Sequence, residues 1–470
     1  MRIFEFVLLV CDLLLLLALV FGGRWKWVWG SLMGATAVSA FVHLAFEGYR
    51  WQMIPAYGLT AVLLLLSLYR WRKSTLPNKS HLWRGISVVL GLIALVVSSA
   101  LPWLLPVPRL PEPTGPYRIG TAVFHLVDPN RPEPYTDEPE DNREIMVQVW
   151  YPAENSANGT TVPYLDRLEL AGPAIARNLD LPAFFLDHIG LARTHAILNA
   201  PPTDSGAPYP VIIFSHGLTG FRSQNTGMIE ELVSQGYVVA AIDHTYGNAI
   251  TVFPDNRVVL YDACRLFTDC QSNPREGHAL VQQWAGDISF LLDEMEKWNN
   301  EPDHLLNGRL DLAHVGVFGH STGGGATLEV CWQDSRCTAG LVLDGWTLPV
   351  STEILKSPPS QPFMFLNTPR WLGPDNKARG QKIYAALPNE TWLIAIEGTE
   401  HFDFSDLPLL SPLTHQLGLS GTIDGNRIVE ILDAYAVAFF NQYLKMEPSP
   451  LLADNSSPYP EIKLVKHGAR

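Results

Sequence analysis

Hydrophobic and polar positions follow two regimes along the chain. Up to about residue 105, apolar residues run almost without interruption. Beyond it, short apolar runs alternate with segments of mixed, periodic character. Four apolar stretches, about 6–21, 27–46, 51–69 and 86–105, each hold sixteen to twenty residues. That is close to the length at which a helix crosses the hydrocarbon of a bilayer. The first stretch alone would also read as a signal peptide or anchor. Three more behind it make a four-helix transmembrane domain over residues 1–105 the expectation. Trp27, Trp29, Trp51, Trp71, Trp83 and Trp103 lie near the expected helix ends, as interfacial aromatics do. Gly30 and Gly34 have the spacing that lets helices approach closely. Asp12 and His43 fall inside apolar segments, either as functional groups or as helix-packing hydrogen bonds.

Prolines 106, 108, 111, 113 and 116 mark a semi-rigid linker over 106–116. A domain over 117–446 and a tail over 447–470 are expected to follow. Residues 145–151 alternate like a strand, and 210–214 form the continuous apolar run of a buried parallel strand. Further strands are predicted at 237–242, 314–318, 340–343, 362–366 and 391–396, with helices at 224–235, 278–298 and 425–445. The acidic stretch 128–142 reads as a loop. Strand–helix alternation of this kind predicts an α/β domain, a mostly parallel sheet with helices on both faces.

Charge sharpens the division. Residues 1–110 hold ten Lys/Arg and three Asp/Glu, a net of +7, and the whole chain is −14, so residues 111–470 carry −21 by difference. So acidic a domain repels phosphate backbones, and no nucleic-acid partner is expected. Arg70, Arg72, Lys73, Lys79 and Arg84 place the loop between the third and fourth segments in the cytoplasm, together with Arg24 and Lys26 of the first loop. The domain after residue 106 then lies outside the cytoplasm. Cys264 and Cys270 form one close pair, Cys331 and Cys337 another. Two disulfides fit an oxidising compartment, and four reduced thiols fit the same spacing. The five intervening residues are too many for the usual zinc pairs, so no metal is expected.

The chemistry is concentrated in Gly319-His320-Ser321-Thr322-Gly323, a match to G-x-S-x-G. The pattern is short and means little without context. Here Val315–Phe318 reads as a strand before it, and the glycine-rich 323–328 can open a helix after it. A strand–serine–helix elbow presents the hydroxyl at the carboxyl end of a sheet. A serine hydroxyl needs a base, and this fold orders the groups serine, acid, histidine. Asp344 follows the strand after the nucleophile, with Asp375, Asp403 and Asp406 as rivals. His401 follows the last strand and is the expected base. The oxyanion donors are expected at the amides of Thr322 and Leu218, the latter in the glycine-bearing loop 215–220. His216 is expected to order that loop, and His320 to pack.

The segments Pro210–Ser223, Gly319–Gly324 and Leu343–Trp346, with the histidine loop at 401, resemble the plasma-type platelet-activating-factor acetylhydrolase family of α/β-hydrolases. The likeness covers about 115–445. It implies calcium-independent removal of short or oxidised acyl groups from glycerophospholipids, without a cofactor. It also implies a Ser321, Asp344, His401 triad and an oxyanion amide at Leu218. The four membrane segments, and Thr322 where an aromatic residue is common, depart from the family pattern. An acyltransferase or peptidase on the same fold, or a non-catalytic membrane sensor, are the competing readings.

Overall fold

The computed structural model describes residues 1–21, 26–72, 81–453 and 457–467. The chain forms two compact units. One gathers 1–108 with 187–192 and 410–413, the other 109–186, 193–409 and 414–470.

The first unit contains helices α1 (Ile3–Phe21), α2 (Lys26–Val42), α3 (Ile54–Arg72) and α4 (His81–Leu104). Each lies in a helical span long and apolar enough to cross a membrane. Asp12 and His43 are fully buried. Asp12 accepts from the Thr60 hydroxyl at 2.7 Å, and His43 bonds Glu47 at 3.0 Å and Tyr57 at 2.8 Å. The Asp12–Thr60 and His43–Tyr57 bonds each join two helices. Buried Glu5 pairs with Arg50 at 2.7 Å and Arg2 at 2.8 Å. Among the described residues, nothing approaches Gly30 or Gly34 as the spacing leads one to expect, whereas Gly91 meets the Leu16 side chain of another helix. Arg24, Lys73 and Lys79, on which the orientation rests, lie outside the described residues, as do the side chains of Lys26, Trp83 and Arg84.

The second unit is built on an eleven-stranded sheet. Its strands are β1 (Arg118–Pro132), β2 (Asn142–Ala153), β3 (Thr161–Pro163), β4 (Arg193–Leu198), β5 (Tyr209–Ser215) and β6 (Val238–Asp243). A separate small hairpin of β7 (Ile250–Val252) and β8 (Val258–Leu260) interrupts the series, which continues with β9 (Leu310–His320), β10 (Cys337–Leu343), β11 (Phe363–Asn367), β12 (Thr391–Ile396) and β13 (Ile462–His467). The order is β13, β12, β11, β10, β9, β5, β6, β2, β1, β4, β3. From β6 to β12 every neighbour is parallel. β1, β2 and β13 add antiparallel flanks. Two expectations change. Residues 128–132 continue β1 instead of starting a loop, and 462–467 of the supposed tail pair with β12.

The central strands are apolar at every position because both faces are covered. Val211 and Ile213 enter one core layer, and Ile212 and Phe214 the other. The first layer is covered by α7 (Pro274–Asn300), through Leu280, Trp284, Ile288 and Met295. The second is covered by α6 (Thr226–Ser234) and α10 (Gly425–Leu444), through Leu232, Ile428, Tyr435 and Phe439. Helices α5 (Leu168–Asn178), α8 (Thr322–Gln333) and α9 (Pro374–Ala386) complete the numbering. Pro274 opens α7, where a missing N–H costs nothing, and Asn273 caps it by accepting from the Glu276 amide at 3.0 Å.

Candidate active site

Five parallel strands deliver the site residues from their carboxyl ends, where ligands meet an open α/β sheet. Ser215 ends β5, Ser321 follows β9, Asp344 follows β10, Thr368 follows β11, and the loop to His401 follows β12.

Ser321 sits between β9 and α8 at φ 56°, a left-handed conformation that is costly for a residue with a side chain. The turn is held from both sides: the Ser321 amide donates to the Leu343 carbonyl at 3.0 Å, and its carbonyl accepts from the Trp346 amide at 2.7 Å. A β-carbon at Gly319 would collide with the Gly323 carbonyl, and one at Gly323 with the carbonyl of Ser215. The glycines are there because strand, elbow and the 215–220 loop share this space.

His401 opens a 3₁₀ turn, His401–Phe404. Its Nδ1 lies 2.7 Å from Asp344 Oδ2. Asp344 is buried, and its Oδ1 accepts from the Thr368 amide at 3.0 Å and hydroxyl at 3.1 Å. The carboxylate thus has three donors, and its orientation is set by β11 as well as β10. The rival carboxylates have other tasks. Asp403 Oδ2 accepts from the Glu400 amide at 2.7 Å and the Gly421 amide at 2.6 Å, closing the histidine loop. Asp406 accepts from the Gly227 amide at 3.3 Å, and burial pushes its pKa up to about 8. Asp375 lies in the first turn of α9.

The loop 215–220 comes against Ser321. A β-carbon at Gly217 would stand 3.2 Å from Ser321 Cβ. Among the described residues, no backbone acceptor takes the amide of Leu218 or of Thr322. Each belongs to a peptide whose carbonyl is doubly bonded. The Gly217 carbonyl accepts from His216 Nδ1 at 2.6 Å and the Gly220 amide at 2.8 Å. The Ser321 carbonyl accepts from the amides of Trp346 and of Gly325, the latter at 3.2 Å. Donors on a carbonyl both fix and polarise the N–H across the same peptide.

His216 does order this loop. Its Nε2 accepts from the His244 amide at 3.2 Å, so the ring's one proton is on Nδ1. Burial and neighbouring His244 hold its pKa well below the ordinary value, keeping it neutral. Behind it lies a network with no counterpart in the sequence reading. His244 joins Ser215 Oγ at 2.9 Å to Asp287 Oδ2 at 2.8 Å, all three buried. This second serine–histidine–aspartate array is sealed in the core. Asp287 also receives Arg143 through bonds of 3.0 and 2.7 Å. Burial alone would raise its pKa; Arg143 and His244 outweigh this and hold it far below the carboxylate range.

His320 does more than pack: it bonds Gln224 and the His401 carbonyl. Sequence reasoning missed Thr368, Gln224 and this role of His320, since no short motif marks them. Four cysteines of this unit are joined as Cys264–Cys270 and Cys331–Cys337.

Comparison with known proteins identifies the family of the chain. The family model for platelet-activating factor acetylhydrolase, isoform II, matches residues 106–258 and 296–455. A platelet-activating factor acetylhydrolase of Cavia porcellus is 27% identical over 359 residues, covering 72% of this chain and 78% of the relative. A probable 1-alkyl-2-acetylglycerophosphocholine esterase of Arthroderma benhamiae is 24% identical, over 80% of this chain and 98% of that one. Among solved structures, a ferulic acid esterase from Streptomyces cinnamoneus superposes with a TM-score of 0.63 and 28% identity, covering 76% of this chain and 99% of the esterase. The chain belongs to the platelet-activating factor acetylhydrolase isoform II family of α/β-hydrolases and is a carboxylic ester hydrolase.

Proposed function

We propose that the protein is a membrane-anchored serine esterase that removes short or oxidised acyl groups from glycerophospholipids without calcium. The observations that carry this are the Ser321 elbow after β9 and the His401–Asp344 pair joined at 2.7 Å. In this mechanism His401 Nε2 takes the proton of Ser321 Oγ as it attacks the ester carbonyl. Asp344 keeps the histidine proton on Nδ1 and stabilises the imidazolium. The Leu218 and Thr322 amides receive the oxyanion. His401 then protonates the departing lysophospholipid alcohol, and water releases the acid from the acyl-enzyme by the reverse proton path.

The four apolar helices are the anchor, and the hydrolase domain, from 117 through the edge strand at 462–467, lies outside the cytoplasm. The positive loops of the sequence and the two cystine bridges support that side. The test is hydrolysis of p-nitrophenyl esters from C2 to C12, beside a short-chain phosphatidylcholine, by the full chain and Ser321→Ala. Phospholipid cleavage with C2–C4 preference, reduced on the order of 10⁴ or more in the variant, is expected. Near-normal turnover by Ser321→Ala would remove Ser321 from the mechanism.

A further inference from the structure

Between the oxyanion loop and the histidine loop runs a chain of side-chain hydrogen bonds. Gln224 Oε1 accepts from the Gly217 amide at 3.4 Å. Gln224 Nε2 donates to His320 Nδ1 at 2.9 Å, and His320 Nε2 donates to the His401 carbonyl at 3.0 Å. The directions are fixed: a carbonyl only accepts, so the His320 proton is on Nε2, and Nδ1 is left as the acceptor that the Gln224 amide needs. His320 is buried, and its ring lies 4.5 Å from that of His401, centre to centre. The segment holding Gln224 is itself bound to the histidine loop: the Gln224 carbonyl accepts from the Asp406 amide at 3.0 Å, and Asn225 Nδ2 donates to the Phe404 carbonyl at 2.8 Å.

We propose that Gln224 and His320 are positioning residues that tie the oxyanion loop to the backbone of His401, so that the donor amide of Leu218 and the base are held in one geometry. The inference rests on the proposed triad and oxyanion hole. His320 can reach both Gln224 and the His401 carbonyl because it ends β9, immediately before Ser321. A neutral ring is required. A second proton, on Nδ1, would face the Gln224 NH₂ donor. Burial first, then the charge of His401, keep the ring deprotonated at Nδ1, with His216 the other titratable neighbour.

The test uses the full chain in detergent, with release of acetate from p-nitrophenyl acetate as the readout and fluorophosphonate labelling to count folded sites. His320→Phe keeps ring volume and removes both bonds. Its kcat per labelled site should fall on the order of 10², with KM within about threefold, as for a misplaced reacting pair. Gln224→Glu keeps the acceptor for Gly217 but places a carboxylate at Nδ1 of His320. The ring must then carry a second proton there, or turn Nε2 unprotonated towards the His401 carbonyl. A new alkaline descending limb in kcat/KM is expected, lacking in the parent. Ser321→Ala must be inactive for either result to be read, and if it is active the proposed site itself is wrong. If Ser321→Ala is dead, a His320→Phe kcat within threefold of the parent overturns the tie. A Gln224→Glu profile superimposable on the parent does the same, and it alone decides should His320→Phe fail to fold.

Discussion

Asp344→Asn exchanges one carboxylate oxygen for an NH₂ group with almost no change of shape. The structure fixes which oxygen is lost. Oδ1 accepts from the Thr368 amide at 3.0 Å, and a backbone N–H can only donate, so the asparagine carbonyl must stay there. The NH₂ then occupies the place of Oδ2, 2.7 Å from His401 Nδ1. Two donors cannot share that bond. His401 adopts the tautomer with its proton on Nε2 and loses the lone pair that would receive the Ser321 proton. The expected loss in kcat is on the order of 10⁴, about 5.4 kcal/mol at 1.36 kcal/mol per tenfold. Steady-state hydrolysis of p-nitrophenyl acetate by the full chain measures it, with near-ultraviolet circular dichroism to show that folding is retained. A folded variant with kcat within tenfold of the parent would refute the orientation argument. It would also mean that another carboxylate orients His401.

Other consequences can be tested independently. Arg143→Met takes from buried Glu133 its guanidinium at 2.8 Å and leaves buried Asp287 with Arg131 and His244, and should cost about 3–5 kcal/mol in urea unfolding; a loss below about 1 kcal/mol would show the cluster to be replaceable. Asp406 has a folded pKa of about 8 against an unfolded value near 3.9, so its stabilisation is complete below about pH 4 and is lost as pH rises through about 8. Asp406→Asn should flatten the fall in melting temperature between pH 5 and 8, and an unchanged slope would clear Asp406 of that role. Opening Cys331–Cys337, by alanine at both positions, should lower stability by about 2 kcal/mol for so short a loop. Equal melting of the variant with and without reductant, at the parent's temperature, would count against the cross-link.

The fold was legible where burial is two-sided or the period is long. The run at 210–214 is apolar at every position because Val211 and Ile212 face different core layers. The strand at 391–396 and the helix near 425 stand almost at their expected bounds for the same reason. Less was readable at the margins. β13 has two lysines among its six residues, and an edge strand needs only one partner. Strand β1 carries polar residues to Pro132 because it lies near the other margin of the sheet. In the site, Ser321, Asp344 and His401 follow strand ends, so order alone picks them out as candidates. Thr368, Gln224 and His244 act across 24, 96 and 43 positions, respectively, through hydrogen bonds to Asp344, His320 and Asp287, separations at which side chains leave no local pattern.

The sealed array around Asp287 has a bearing on how this chain can be recombined with its relatives. Ser215, His244, Arg143 and Glu133 stand inside the first family-matched segment, whereas Asp287 stands in the unmatched stretch between 258 and 296. One carboxylate from the divergent stretch therefore neutralises a cation and orders a histidine belonging to the shared part. A chimera that takes residues 259–295 from another member keeps the Arg143–Glu133 pair but loses the second carboxylate on Arg143, unless the donor sequence brings an acid to the same point on α7. Grafts across that boundary should be designed with Asp287 and Arg143 as a single hereditary unit.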